Sequence, residues 1–193
     1  MRAYLISIAV CAACLTSPAW AAAQGSAKNA EARVYFEEGN RLVREANDAS
    51  DADRDTLLQR ALEAYVDSLG IVRSRNALFN AAVTLEELGR HAESFNYYTE
   101  YLGISGLSET DRAEAEQRRA ALQAEVAVLA LGSEPGGAEV RIDREDLAPL
   151  GPTPIEVAVA PGPHQFFISK AGFVAATESV TVTIGERTAT TIR

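Results

Sequence analysis

Between about residues 27 and 125 the apolar side chains recur every three or four positions; from 126 onward they alternate. The first spacing follows the 3.6-residue turn of an α-helix, the second the two-residue repeat of a strand. The change of period near residues 126–133 predicts a multi-domain chain, α then β. Five helices are predicted. The first, about Ala27 to Asn47, buries Tyr35, Phe36, Gly39, Leu42 and Val43, and a polar loop over Asn47 to Asp53, ending in candidate N-caps, follows. The second, about Arg54 to Ile71, presents Leu58, Ala61, Leu62, Tyr65 and Leu69 on one stripe. The third, Ser74 to Leu88, carries Leu78, Phe79, Ala81, Ala82 and Leu85 and stops at Gly89; the fourth, His91 to Leu102, carries Phe95, Tyr98 and Tyr101 and stops at Gly103. Ser108-Glu109-Thr110-Asp111 opens the fifth in a pattern like a capping box, and it runs to about Glu125. Its charged face and alanine content suit a solvent-facing cap on a helical stack.

The alternating part predicts six or so strands: Val126 to Leu131, Glu139 to Asp143, Ile155 to Ala160, His164 to Lys170, and a last hairpin of Glu178 to Ile184 and Arg187 to Ile192 through Gly185-Glu186. Turn residues separate them, and together they read as a small β-sandwich. All seven prolines except Pro18 fall at position 135 or later, which leaves the earlier part free to be almost wholly helical.

Residues 1–23 read as a signal peptide. Arg2 is a short positive start, Tyr4 to Leu15 is an uncharged apolar run, and small residues at Ala19-Trp20-Ala21 and Ala21-Ala22-Ala23 offer cleavage after Ala21 or Ala23. Cys11, Cys14 and Trp20 leave with it, so the exported chain is expected to lack thiols and tryptophan. The rival reading is a lipoprotein acylated at Cys14. No later run is apolar enough to span a bilayer, so the expected location is exported, either periplasmic or at the cell surface or secreted.

Lys and Arg number 18 against 27 Asp and Glu, a net charge of −9. Losing Arg2 with the leader leaves 17 against 27, a net charge of −10. So acidic a chain has no sequence-wide electrostatic reason to approach nucleic acid or an anionic membrane.

Residues Asn76 to Leu102 resemble a tetratricopeptide repeat. Leu78, Ala81, Ala82 and Leu85 take first-helix positions, Gly89 the tight turn, and Ser94, Tyr98 and Tyr101 second-helix positions, with Ser94 in place of the usual Ala. Gly106 stands where a closing proline is often found. A second copy lies upstream, with Gly39 and Leu42 at the places of Ala82 and Leu85, and Ala61, Tyr65, Ser68 and Leu69 at those of Ser94, Tyr98, Tyr101 and Leu102. Gly39 to Ala61 is 22 residues where Ala82 to Ser94 is 12, so the upstream copy carries a ten-residue insertion, placed roughly at the Asp-rich loop. The resemblance implies a concave groove that holds an extended peptide or partner helix. By position, Arg33, Phe36, Asn40, Val43 and Arg44 line it from the first copy, and Asn76, Phe79, Asn80, Val83 and Glu87 from the second. Asn40 and Asn80 stand where the family often uses Asn to hold a ligand backbone, a task for which an amide both donates and accepts. The lysines of the carboxylate-clamp subtype are missing, Phe36 occupying one such place, so capture of a C-terminal carboxylate is not expected, and the acidic surface is expected to favour basic or polar partners. The competing reading of these residues is plain scaffold surface.

Residues 126–193 resemble the PEGA domain, a small extracytoplasmic β-sandwich. Pro135-Gly136-Gly137-Ala138 stands for the name-giving motif, Gly151-Pro152-Thr153-Pro154 for its Gly-x-Thr-Pro element, Pro161-Gly162-Pro163-His164 for its Pro-Gly-x-His turn, and Lys170-Ala171-Gly172-Phe173 for its Gly-aromatic turn. Asp143-Arg144 departs from the usual Asp-Gly. The resemblance implies an interaction module without known chemistry.

No catalytic motif stands out. His91 follows a turn glycine and His164 sits in a turn, so both read as packing groups. Glu37-Glu38 and Glu86-Glu87 are neighbours on helices and point apart. Asp48, Asp51, Asp53 and Asp55, and Asp143-Arg144-Glu145-Asp146, lack the spacing of a calcium loop. The expectation is a non-catalytic exported adaptor with no cofactor and no metal, whose helical groove binds a protein or peptide and whose β-domain contacts a cell-envelope component. The alternatives are an architectural envelope protein that self-assembles through its helices into a homo-oligomer and, remotely, a cell-wall hydrolase.

Overall fold

The computed structural model describes residues 18–145 and 149–193, with side chains from Gly25 on. The leader's positive start, its apolar run, Cys11 and Cys14 lie outside the described residues. Five helices precede seven strands: α1 Pro18–Asp48, α2 Asp51–Ile71, α3 Arg75–Glu87, α4 His91–Leu102, α5 Glu109–Leu122, then β1 Ala127–Ser133, β2 Glu139–Ile142, β3 Gly151–Pro152, β4 Ile155–Val159, β5 Gly162–Ser169, β6 Ala176–Val182 and β7 Arg187–Ile192. This is the α-then-β order read from the change of period. No described helix is long and apolar enough to cross a membrane.

The Asp-rich stretch is not the loop its composition suggested. α1 runs to Asp48 and α2 begins at Asp51, so the extra residues lengthen the first helix pair. Asp51 and Asp53 sit in the first turn of α2, where the exposed N–H groups favour acid, and Ser50 Oγ donates to Asp53 Oδ2 at 2.9 Å. Ser74 and Ser108 cap α3 and α5 by accepting from Ala77 N at 3.3 Å and Asp111 N at 3.0 Å. Gly89 turns the chain at φ +70°, and Arg90 N donates to Leu85 O at 2.9 Å, closing α3 in a left-handed cap.

Each helix pair is tied by a buried serine as well as by apolar packing. Ser68 Oγ donates to Ala32 O and Ser94 Oγ to Ala82 O, both at 2.8 Å. Leu42, Ala61, Tyr65, Leu69, Leu78, Ala82, Leu85 and Tyr98 form the centre of the helical core.

The strands make two sheets, ordered β4-β1-β7 and β3-β2-β5-β6. The expected last hairpin does not form: β6 pairs with β5, and β7 crosses to lie parallel to β1, Val128 opposite Arg187. The crossing is set by the start of β1. Val126 O accepts from Gly185 N at 2.8 Å, and Val128 N donates to Glu186 O at 2.9 Å, which pulls the chain onto the first sheet. The first two residues of the Gly-x-Thr-Pro element, Gly151 and Pro152, form a two-residue strand, β3, beside β2.

β1 is buried on both faces. Leu129 and Leu131 point into the sandwich, while Val126 and Val128 join the helical core together with Ala158 of β4. A side-chain amide completes this seam. Asn96 of α4 donates Nδ2 to Ala158 O at 2.8 Å and accepts from Ala158 N at 2.7 Å, so it occupies the free edge of β4 as another strand would.

Candidate functional site

Two adjoining cavities lie along α1 and α3. The first, about 310 Å³, is lined by Phe36, Arg75, Asn76, Phe79, Asn80, Tyr101, Asp111 and Glu114. The second, about 330 Å³, is lined by Asn40, Val43, Arg44, Tyr65, Phe79, Asn80, Val83, Thr84, Glu87 and Arg118. Phe79 and Asn80 belong to both and form the saddle between them.

The saddle follows from packing below it. Gly39 lets the ring of Tyr65 press against the backbone of α1, so close that a Cβ there would stand 2.5 Å from Cε1. The ring also tilts against Phe36, with centroids 5.9 Å apart. In that position Tyr65 Oη donates to Asn40 Oδ1 at 2.8 Å, and Asn80 Nδ2 donates to the same oxygen at 2.8 Å. Burial pushes the Tyr65 phenol up, against a smaller opposing effect of the Asn80 hydrogen bond. Among the described residues Asn40 Nδ2 and Asn80 Oδ1 take part in no hydrogen bond, and no sealed-off side-chain nitrogen or oxygen lacks a partner. One amide donor and one amide acceptor are therefore open to solvent at the saddle.

Charges of both signs rim the cavities. Arg118 Nε lies 3.2 Å from Glu114, Arg118 Nη1 lies 3.5 Å from Glu86, and its guanidinium stands 6.0 Å from the centre of the Phe79 ring. Arg54 binds Glu87 at 2.5 Å. Arg44 and Arg75 line the cavities without an ion pair to any described residue. Below, Tyr98 Oη donates to Glu86 Oε2 at 3.1 Å; burial, with the Glu86 charge second, pushes this phenol up.

Nine of the ten residues read as groove lining border one cavity or the other. Arg33 does not: it is exposed and pairs with Glu37 at 3.0 Å. The reading missed Arg75, Tyr101, Tyr65, Thr84 and, from α5, Asp111, Glu114 and Arg118. The α5 set was legible in principle, because positions 111, 114 and 118 recur at helical spacing on one face.

The other polar candidates have structural partners. His91 Nδ1 lies 2.5 Å from Glu125. His164 bridges Asp143 Oδ2 at 2.8 Å and Ala160 O at 2.6 Å. Asp143, where Asp-Gly is usual, itself takes the left-handed conformation at φ 58°, and its other oxygen accepts from Gln165 N at 3.1 Å. Glu37 and Glu38 turn to different arginines, as do Glu86 and Glu87. Among the described residues no group of three His, Cys, Asp or Glu is placed to hold a metal ion.

The model of the PEGA domain matches residues 126–193, all of the β region. Residues 126–193 are thus similar to the PEGA domain, a small β domain of a kind often found in exported proteins, and follow five helices. No curated protein matches the chain.

Proposed function

We propose that the chain is an exported, non-catalytic adaptor whose first four helices are two tetratricopeptide-like pairs capped by α5. Their groove binds an extended peptide or partner segment, and the PEGA domain contacts a component of the cell envelope. The observation that carries this reading is the amide pair at the saddle. One open donor and one open acceptor, set between apolar Phe36, Phe79 and Val83, match the carbonyl and N–H of a peptide bond without reading its side chain. Arg44 and Arg75, which form no ion pair with any described residue, supply cations on an acidic chain, which leaves the groove open to carboxylate-bearing as well as polar segments.

Cross-linking of the chain in envelope extract, followed by mass spectrometry, tests the reading. The informative variant is Asn80→Ala. Asn40→Ala would strip the acceptor from Tyr65 and disturb the fold as well as the groove. Loss of partners with Asn80→Ala at unchanged helicity supports the adaptor; an unchanged set of partners refutes the groove.

A second reading, self-assembly, has one observation in its favour. Val34, Tyr35 and Val66 on the first helix pair are exposed large apolar side chains. Light scattering that finds a monomer at high concentration removes it.

A further inference from the structure

The PEGA domain has one pole away from the helices. β1 enters from the α5 side at Ala127 and ends at Ser133, and its parallel partner β7 ends beside it, Ser133 opposite Ile192. Glu139 opposite Ser169 brings the turn after β5 to the same pole as the turn after β1.

That turn is apolar and protrudes. Phe173 N donates to Lys170 O at 3.0 Å and Gly172 takes φ +85°, so the chain turns tightly between β5 and β6. Ala171 to Ala175 are all exposed, Phe173 at 58% and Val174 at 95%, the most exposed large apolar side chain described. Phe173 and Val174 also wall a cleft of about 80 Å³ with Pro135, Ile168 and Ile192, so the apolar surface continues from the apex into the gap between the sheets. The first charges met below the apex include the cations of Lys170 and Arg193. Lys170 Nζ stands 5.8 Å from the centre of the Phe173 ring and is fixed to Gly136 O, and Arg193 pairs with Glu134 at 2.9 Å.

We propose that this tip inserts into a lipid bilayer, Phe173 and Val174 below the headgroups and Lys170 among them. A protruding, uncharged apex suits a soft interface that closes around it, and a cleft this small offers a rigid protein partner little to hold. A cation at the base of an apolar wedge matches headgroup phosphate. The chain's net charge of −9 opposes anionic surfaces, so the bilayer it fits carries zwitterionic headgroups. A single tip gives weak, reversible attachment and leaves the groove, on the helical side of the molecule, free. The inference rests on the envelope role proposed for the β-domain and names lipid as the component.

The test uses the chain from Gln24 on, which keeps both cores and has no tryptophan. Flotation with phosphatidylethanolamine–phosphatidylcholine vesicles is expected to carry the protein, and Phe173→Asp with Val174→Asp to lower partitioning about tenfold or more. Phe173→Trp is expected to shift its emission to shorter wavelength on adding vesicles. Mixing in phosphatidylglycerol is expected to weaken binding. No flotation and an unshifted tryptophan overturn the inference, as does a double variant that floats like the parent. Loss of a dimer in the double variant without any vesicle binding also overturns it and makes the tip a contact between copies. Each failure leaves partner capture by the groove, read with Asn80→Ala, untouched.

Discussion

Gly39 is where helix propensity and packing make opposite demands. In isolation Gly39→Ala would stabilise α1 by about 1 kcal/mol, because alanine loses less backbone freedom than glycine. In the fold the new Cβ would stand 2.5, 2.7 and 2.9 Å from Cε1, Cδ1 and Cζ of Tyr65. Carbon pairs settle at about 3.5–4.0 Å, so helix and ring must part by about 1 Å. Tyr65 has nowhere to go: it is 1% exposed, leans on Phe36, and is held through its hydroxyl to Asn40. Overpacking costs about 1–3 kcal/mol, and three short contacts against an immobile ring place this case near the upper end. After the propensity gain the net loss is about 2 kcal/mol, equivalent to a fall of about 4–8 °C in Tm for a chain of this size. Gly70→Ala is the control. It lies in the last turn of α2 with nothing within 4 Å of its Cβ, and is expected to raise stability by up to about 1 kcal/mol. Urea unfolding followed by far-ultraviolet circular dichroism reads both. A Gly39→Ala chain as stable as its parent, or two substitutions that shift the midpoint in the same direction, would refute the packing argument.

Three further outcomes are expected. Burial raises the phenols of Tyr65, Tyr97 and Tyr98 above their unfolded value, so the folded chain keeps their protons longer than the unfolded one. Their contribution is then full below about pH 10 and lost as pH rises further; melting curves from pH 8 to 11, with absorbance at 295 nm, should show the ionisation of these three phenols arriving with unfolding rather than before it. Asn96→Ala leaves the N–H and C=O of buried Ala158 without partners and is expected to cost about 2 kcal/mol or more and to speed exchange of the Ala158 amide; unchanged exchange would mean that the amide does not hold the seam. Thr153→Val removes the hydroxyl that accepts from Gly137 N at 3.1 Å and Ala138 N at 3.0 Å and is expected to cost about 1–3 kcal/mol in chemical denaturation, with Thr153→Ser recovering most of it.

The helical and strand periods, the proline distribution and the cap at Ser108 are local properties, and local rules were enough to read them. They located all five helices, with α4 correct at both ends, and most of the strands. Nine of the ten positions border the two cavities for the same reason: their spacing assigns them to one helical face. Contacts between distant segments were not legible. Asp51 and Asp53 read as loop because acidity does not distinguish a polar turn from a helix N-terminus. β6 and β7 read as a hairpin because a short connection between two strands usually is one; the open edge at the start of β1 decided otherwise. The run Val126 to Leu131 does not reveal that one of its faces belongs to the helices, nor that Asn96 completes the edge of β4. The saddle needed the fold most of all. Asn40, Tyr65 and Asn80 lie on three helices, and only the close approach at Gly39 brings their polar atoms to one point and leaves one donor and one acceptor open. Periodicity determines which side of an element faces inward, and the packing of those sides against one another determines which polar groups remain for a partner.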